Sequence, residues 1–139
     1  MVARQATGVA IGGRGVMIEG PVGSGKSALA LALVDRGAML IGDDGLVLEP
    51  RDGRLIAGPH PNTRGLIEVR NLGLLPLPVA DAVPLCLAIL LDEAAPRFIE
   101  APEPLTIADI VLPRIRLRPD SFILPLKAEL ALAHYGLTA

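Results

Sequence analysis

Eight consecutive residues, Gly20-Pro21-Val22-Gly23-Ser24-Gly25-Lys26-Ser27, carry the most readable chemistry in this sequence. They fit G-x-x-x-x-G-K-[ST] without a mismatch, which a chain of this size does by accident about once in a few hundred sequences. Glycines at this spacing let backbone N–H groups turn inward around phosphate oxygens, and a following helix N-terminus adds partial positive charge. Lys26 supplies a mobile cation for the outer phosphates, and the Ser27 hydroxyl suits the shell of a Mg²⁺ ion. The loop also has the flanks it needs. The apolar run Gly15-Val16-Met17-Ile18 precedes it, and strong helix formers fill residues 27–36 behind it.

A dinucleotide loop is the sharpest competitor, because Gly23-Ser24-Gly25-Lys26-Ser27-Ala28 also reads G-x-G-x-x-A. Lys26 followed by the Ser27 hydroxyl decides for the phosphate loop, since dinucleotide binding needs neither. The acids placed to act with the loop are Asp43 and Asp44, at the end of a strand expected over residues 38–41. If that strand lies beside the phosphate-loop strand in a βαβ unit, both carboxylates emerge at the same sheet edge as bound phosphates. An acid there can hold Mg²⁺ or take a proton from an attacking hydroxyl. Asp-Asp-Gly is also ordinary turn chemistry, and the neighbouring phosphate loop is what favours function.

The elements that must position these groups form one domain of 139 residues, with 51% apolar residues and a net charge of −2. No apolar run approaches the roughly 20 residues of a membrane span. The N-terminal residues have no secretory pattern, so the expected compartment is the cytoplasm. The single cysteine, Cys86, rules out a disulfide scaffold and reads as a core thiol. Nucleic acid is not the expected partner, because there is no basic cluster and aromatic residues make up only 2%. Arg114, Arg116 and Arg118 alternate, and would share one strand face near the site.

Residues 7–11 and 14–18 read as a hairpin across Gly12-Gly13, and residues 46–49 and 54–57 as another across Pro50-Arg51-Asp52-Gly53. Residues 66–69 and 85–91 read as further strands, the second a buried one. The helix over residues 27–36 should stop at Gly37, and a last helix should run from Pro125 or Leu126 to His134, ending at Gly136. Residues 94–104 are the candidate mobile loop. His60, between two prolines, reads as a surface loop residue. The prediction is a strand-rich α/β domain, unlike the usual alternating βα nucleotide-binding fold.

In this order the residues resemble the catalytic domain of HPr kinase/phosphorylase. The resemblance runs through the first hairpin, the loop Gly20 to Ser27, the ten-residue helix, Asp43-Asp44, and Ile67-Glu68-Val69-Arg70-Asn71-Leu72-Gly73. That last segment is similar to the family signature L-E-I-R-G-x-G. It implies a strand-rich phosphate-loop fold of the kind shared with phosphoenolpyruvate carboxykinase, in the short form without an N-terminal domain. It implies ATP and Mg²⁺ as cofactors, with the loop on the ATP phosphates and Ser27 and Glu68 on the metal. Asp44 would be the base for an attacking serine hydroxyl, supported by Asp43, and Arg70 would brace the signature strand.

The implied partner is an HPr-like phosphocarrier protein, and the implied assembly a homo-oligomer, often a hexamer. The family also carries a histidine that assists the catalytic aspartate near the start of the domain. Here Gln5 and Thr7 stand at the candidate positions. Two other functions stay open at this point: a nucleotide-sensing regulatory module without turnover, and a kinase for a small-molecule hydroxyl.

Overall fold

The computed structural model describes all of residues 1–139. Eleven strands and two helices follow one another as β1 (Val2–Arg4), β2 (Thr7–Ile11), β3 (Arg14–Glu19), α1 (Lys26–Asp35), β4 (Met39–Gly42), β5 (Leu46–Arg51), β6 (Arg54–Pro59), β7 (Leu66–Val69), β8 (Gly73–Pro76), β9 (Val83–Leu91), β10 (Glu103–Ile107), β11 (Ile110–Leu117) and α2 (Leu124–Tyr135). The predicted strand-rich α/β class is the observed one.

Strand β9 organises the molecule. Its first residues pair with β6, which continues through β5 to β1. Further along it lies between β3 and β11, parallel to both. A sheet strand buried on both faces should be apolar at nearly every position, and Leu85, Cys86, Leu87, Ala88 and Ile89 are all fully buried. The register shift between Gly15 and Val16, opposite Cys86, inserts an extra residue and resets which side chains face which way. Cys86, Leu87, Ile89 and Leu91 then join Leu29, Leu33, Ala128 and Leu132 in a core beneath the helices. Leu85 and Ala88 join Met17, Leu46, Leu55 and Leu112 in a second core on the other side.

Local chemistry explains the ends of the elements. The β2–β3 hairpin closes at Gly12 and Gly13, both at positive φ (56° and 80°). Gly37, at φ 110°, ends α1, and Ala38 N–H donates to Leu33 O while Gly37 N–H donates to Val34 O. That is the double closure of a left-handed helix stop. Pro125 sits in the first turn of α2, where its missing N–H costs nothing, and Gly136 caps the other end.

Three expectations need correction. β4 is not the immediate neighbour of the phosphate-loop strand: β2 lies between, antiparallel to both β3 and β4. β3 and β4 remain parallel to each other, so their C-terminal ends still share an edge. Residues 94–104 are not all loop, because Glu103 opens β10, which pairs with β11. Three strands were unforeseen, β1 on β5, β8 on β7 and this β10 on β11. No helix is long and apolar enough to cross a membrane.

Candidate functional site

The phosphate-loop segment leaves β3 at Glu19 and enters α1 at Lys26. Gly20 is there for close packing: a Cβ on it would stand 2.7 Å from Ser24 Oγ and 3.0 Å from Leu91 Cβ. Gly23 and Gly25 are there for conformation, with φ of 79° and 99° and no heavy atom within 4 Å of a built Cβ. Val22 is almost wholly exposed at the loop tip. Pro21 O accepts the Ser24 N–H at 3.0 Å, which tightens the turn. Lys26 Nζ folds back to donate to Gly20 O at 2.9 Å and Pro21 O at 3.4 Å. The ammonium is thus already held at the mouth of the loop it would serve.

The first helical hydroxyl meets the first aspartate. Ser27 Oγ donates to Asp43 Oδ1 at 2.6 Å. Asp43 is only 7% exposed, and two more donors satisfy its carboxylate. Thr7 Oγ1 donates to the same oxygen at 3.2 Å, and Glu68 N–H donates to Oδ2 at 2.9 Å. A buried carboxylate left without donors would be costly, and these three satisfy it. Asp44 is exposed beside it, at φ 57°, and its N–H donates to Thr7 Oγ1 at 3.2 Å. The site therefore draws on β2, α1, the end of β4 and β7.

Glu68 reaches this cluster through its backbone, and its own carboxylate is exposed. Asn71 stands where the signature has a glycine, and it takes φ 74° in the β7–β8 turn, a conformation asparagine tolerates better than most side chains. Arg70 is exposed and makes no hydrogen bond or ion pair, so the bracing role expected of it is not what the structure shows. His60 is a loop residue as predicted, packing against Gly45 with its Nδ1 accepting the Asn62 N–H.

The alternating arginines are engaged with acids. Arg114 and Arg116 both donate to Glu103 Oε1, at 3.2 and 2.6 Å, and Arg116 reaches Asp92 Oδ2 at 2.8 Å. Hydrogen bonds from Arg116 and then Arg114 hold the Glu103 carboxyl below its usual range. The Ala94 N–H and then Arg116 do the same for Asp92. Arg118 donates to Ala95 O. Between this cluster and the loop lies a cavity of about 700 Å³, bordered by Pro21, Ser24, Asp92, Arg116 and Asp120. It flanks the loop on the side of β9 and β11, opposite Asp43.

A Mg²⁺ ion normally takes one or two protein ligands plus phosphate oxygens and water. The donor set here has that character. Ser27 spends its proton on Asp43 and keeps its oxygen lone pairs, and Glu68, whose N–H meets the same aspartate, carries an exposed carboxylate. Thr7 is the site residue that the sequence reading undervalued. Its signal was a lone hydroxyl in the otherwise apolar run over residues 6–11, since a buried hydroxyl must find a partner.

A sequence model of the HPr Serine kinase C-terminal domain matches residues 2–80, more than half of the chain. The chain belongs to the HPr serine kinase C-terminal domain family. An HPr kinase/phosphorylase from Mycoplasma mycoides is 40% identical over 62 residues, covering 45% of this chain and 20% of that protein. One from Lactococcus lactis is 32% identical over 118 residues, covering 76% of this chain and 38% of its own length. The chain thus spans well under half the length of these curated relatives. The solved Hpr(Ser) kinase/phosphatase from Coxiella burnetii superposes with a TM-score of 0.85 at 28% identity, over 96% of this chain and 95% of that one. That likeness extends to the late strands and α2, beyond the segment the family model matches.

Proposed function

We propose that this chain is an ATP- and Mg²⁺-dependent protein serine kinase acting on an HPr-like phosphocarrier in the cytoplasm. The contact between Ser27 and Asp43 carries the reading, because it brings the phosphate loop and the aspartate pair to one point. Backbone N–H groups of residues 22–27 bind the phosphates, and Lys26 turns from the loop carbonyls to the β/γ oxygens. Ser27 and Glu68 would hold the metal, which would supply charge neutralisation to the transferring phosphoryl group. Asp44, exposed beside them, accepts the proton of the attacking serine hydroxyl. Asp43, buried and acceptor-only, keeps Ser27 turned so that its oxygen faces the metal. Phosphorolysis in reverse would use Asp44 as the acid that returns the proton. Family membership and the likeness to HPr kinases support the protein acceptor, and by family analogy alone the chain assembles as a homo-oligomer such as a hexamer.

A second reading, a nucleotide-sensing module without turnover, is favoured by one observation. Thr7, not a histidine, meets the aspartates, and a threonine hydroxyl does not exchange protons near neutral pH as imidazole does. One experiment separates the two. Purified chain, Mg²⁺, labelled ATP and the host's HPr-like protein are incubated beside Lys26→Ala and Asp44→Asn. Label on a carrier serine that disappears in both variants is expected. ATP binding without any transfer selects the sensor, and no nucleotide binding defeats both.

A further inference from the structure

Thr7 is fully buried at the start of β2, yet its hydroxyl is where the two aspartates are joined. It donates to Asp43 Oδ1 and accepts the Asp44 N–H, both at 3.2 Å. A hydroxyl has one proton and two lone pairs, so a single oxygen can make both bonds. Valine would fill the same space without the cost of burying a polar group, and both hydrogen bonds of this hydroxyl go to site residues. Asp44 meanwhile holds φ 57°, a left-handed conformation that aspartate tolerates in turns and that its N–H bond to Thr7 helps to hold.

We propose that Thr7 is the positioning residue of the aspartate pair. Its proton fixes the rotation of the Asp43 carboxylate, so that Oδ1 stays turned towards Ser27. Its lone pair pins the Asp44 backbone, and this aims the Asp44 carboxylate towards the acceptor hydroxyl. Thr7 touches no substrate and transfers no proton. Its kinetic consequence rests on the kinase reading, whereas its hold on Asp44 does not.

The test compares Thr7→Val and Thr7→Ser with wild type in the full chain. Amide hydrogen exchange by NMR gives a readout independent of activity. In Thr7→Val the Asp44 amide should exchange at least about tenfold faster, while the amides of Val9 and Leu40, paired in the neighbouring ladder, keep wild-type protection. Phosphoryl transfer should lose about 10- to 100-fold in kcat, with KM for Mg·ATP moving less than about threefold. Thr7→Ser should restore both. Wild-type exchange at Asp44 in Thr7→Val overturns the proposal. So does joint loss of protection at Val9 and Leu40, because Thr7 would then serve packing alone. Failure of Thr7→Ser to restore exchange and kcat overturns it as well. If wild type transfers no phosphate, the kinase reading falls alone, and the exchange contrast still decides the role of Thr7.

Discussion

Ser27 Oγ lies 2.6 Å from Asp43 Oδ1, and this one hydrogen bond ties the start of α1 to the end of β4. It gives the hydroxyl a direction. With its proton held by Asp43, Ser27 can offer only oxygen lone pairs to whatever sits in the loop.

The Asp43→Asn variant tests that direction. Asp43 accepts from Ser27, Thr7 and Glu68 N–H, so an amide NH₂ must face at least one donor. The backbone N–H cannot turn, whereas the hydroxyls can. The NH₂ therefore takes the Oδ1 side and forces Ser27 to accept, which spends one of its two lone pairs and frees its proton to point into the loop, where it opposes a cation. Thermal melts should show a loss of about 1–3 kcal/mol. Transfer should fall by about 100-fold or more, with a raised Mg²⁺ requirement. Unchanged Mg²⁺ dependence would mean Ser27 faces no metal.

The parts of this molecule written in neighbouring residues were legible. Gly12-Gly13, Gly37, Pro125 and the loop itself each set a local dihedral, and each stands where it was read. The strand over residues 66–69 and the buried run from residue 85 were visible for the same reason. Contacts between distant residues were not. Nothing in residues 7–11 announces that Thr7 meets Asp43 thirty-six residues on, or that β2 slips between β3 and β4. Strand β9 has three different neighbours along its length, a matter of topology that periodicity does not encode. The bracing that the resemblance implies for Arg70 is also missing, because a motif names a residue and not whether a partner waits beside it.

Asn71 gives a conformational test of the signature segment. At φ 74° it holds the turn that returns β7 into β8. Asn71→Gly should be neutral to within about 0.5 kcal/mol, whereas Asn71→Val should cost about 1–2 kcal/mol. Because Glu68 lies in β7, the valine variant should also weaken Mg²⁺-dependent nucleotide binding. Equal melting temperatures for the two variants would show that the turn tolerates any residue.

Acid stability should depend on Glu103 and Asp92. Hydrogen bonds from Arg116 and Arg114 depress Glu103, and the Ala94 N–H with Arg116 depresses Asp92. A carboxyl depressed in the folded state adds stability above its unfolded pKa and loses it as pH falls through the folded value. Melting temperature should therefore decline as pH drops through and below the ordinary carboxylate range. Glu103→Gln should lower it at neutral pH and converge with wild type in acid. Added salt should narrow the neutral gap, since these groups are solvent-accessible. A gap that stays constant across pH would assign the effect to packing.

Gly20 and Gly23 should fail in different ways when each becomes alanine. At Gly20 the new Cβ meets Ser24 Oγ at 2.7 Å, a hydroxyl that can rotate, and Leu91 Cβ and O at 3.0 and 3.1 Å in the floor beneath the loop. Overpacking there should cost about 1–3 kcal/mol in a thermal melt, and nucleotide affinity should suffer only as the loop shifts. At Gly23 nothing lies within 4 Å, but φ is 79°, which costs alanine about 1–2 kcal/mol and projects a methyl into open space at the loop. If that space receives phosphate, Gly23→Ala should raise the ATP Kd by about tenfold or more for a modest loss of melting temperature. Gly20→Ala should show the reverse ratio. Were both variants to change Kd and melting temperature in the same proportion, the loop would be acting only as a turn, and phosphate binding at residues 20–27 would lose its support.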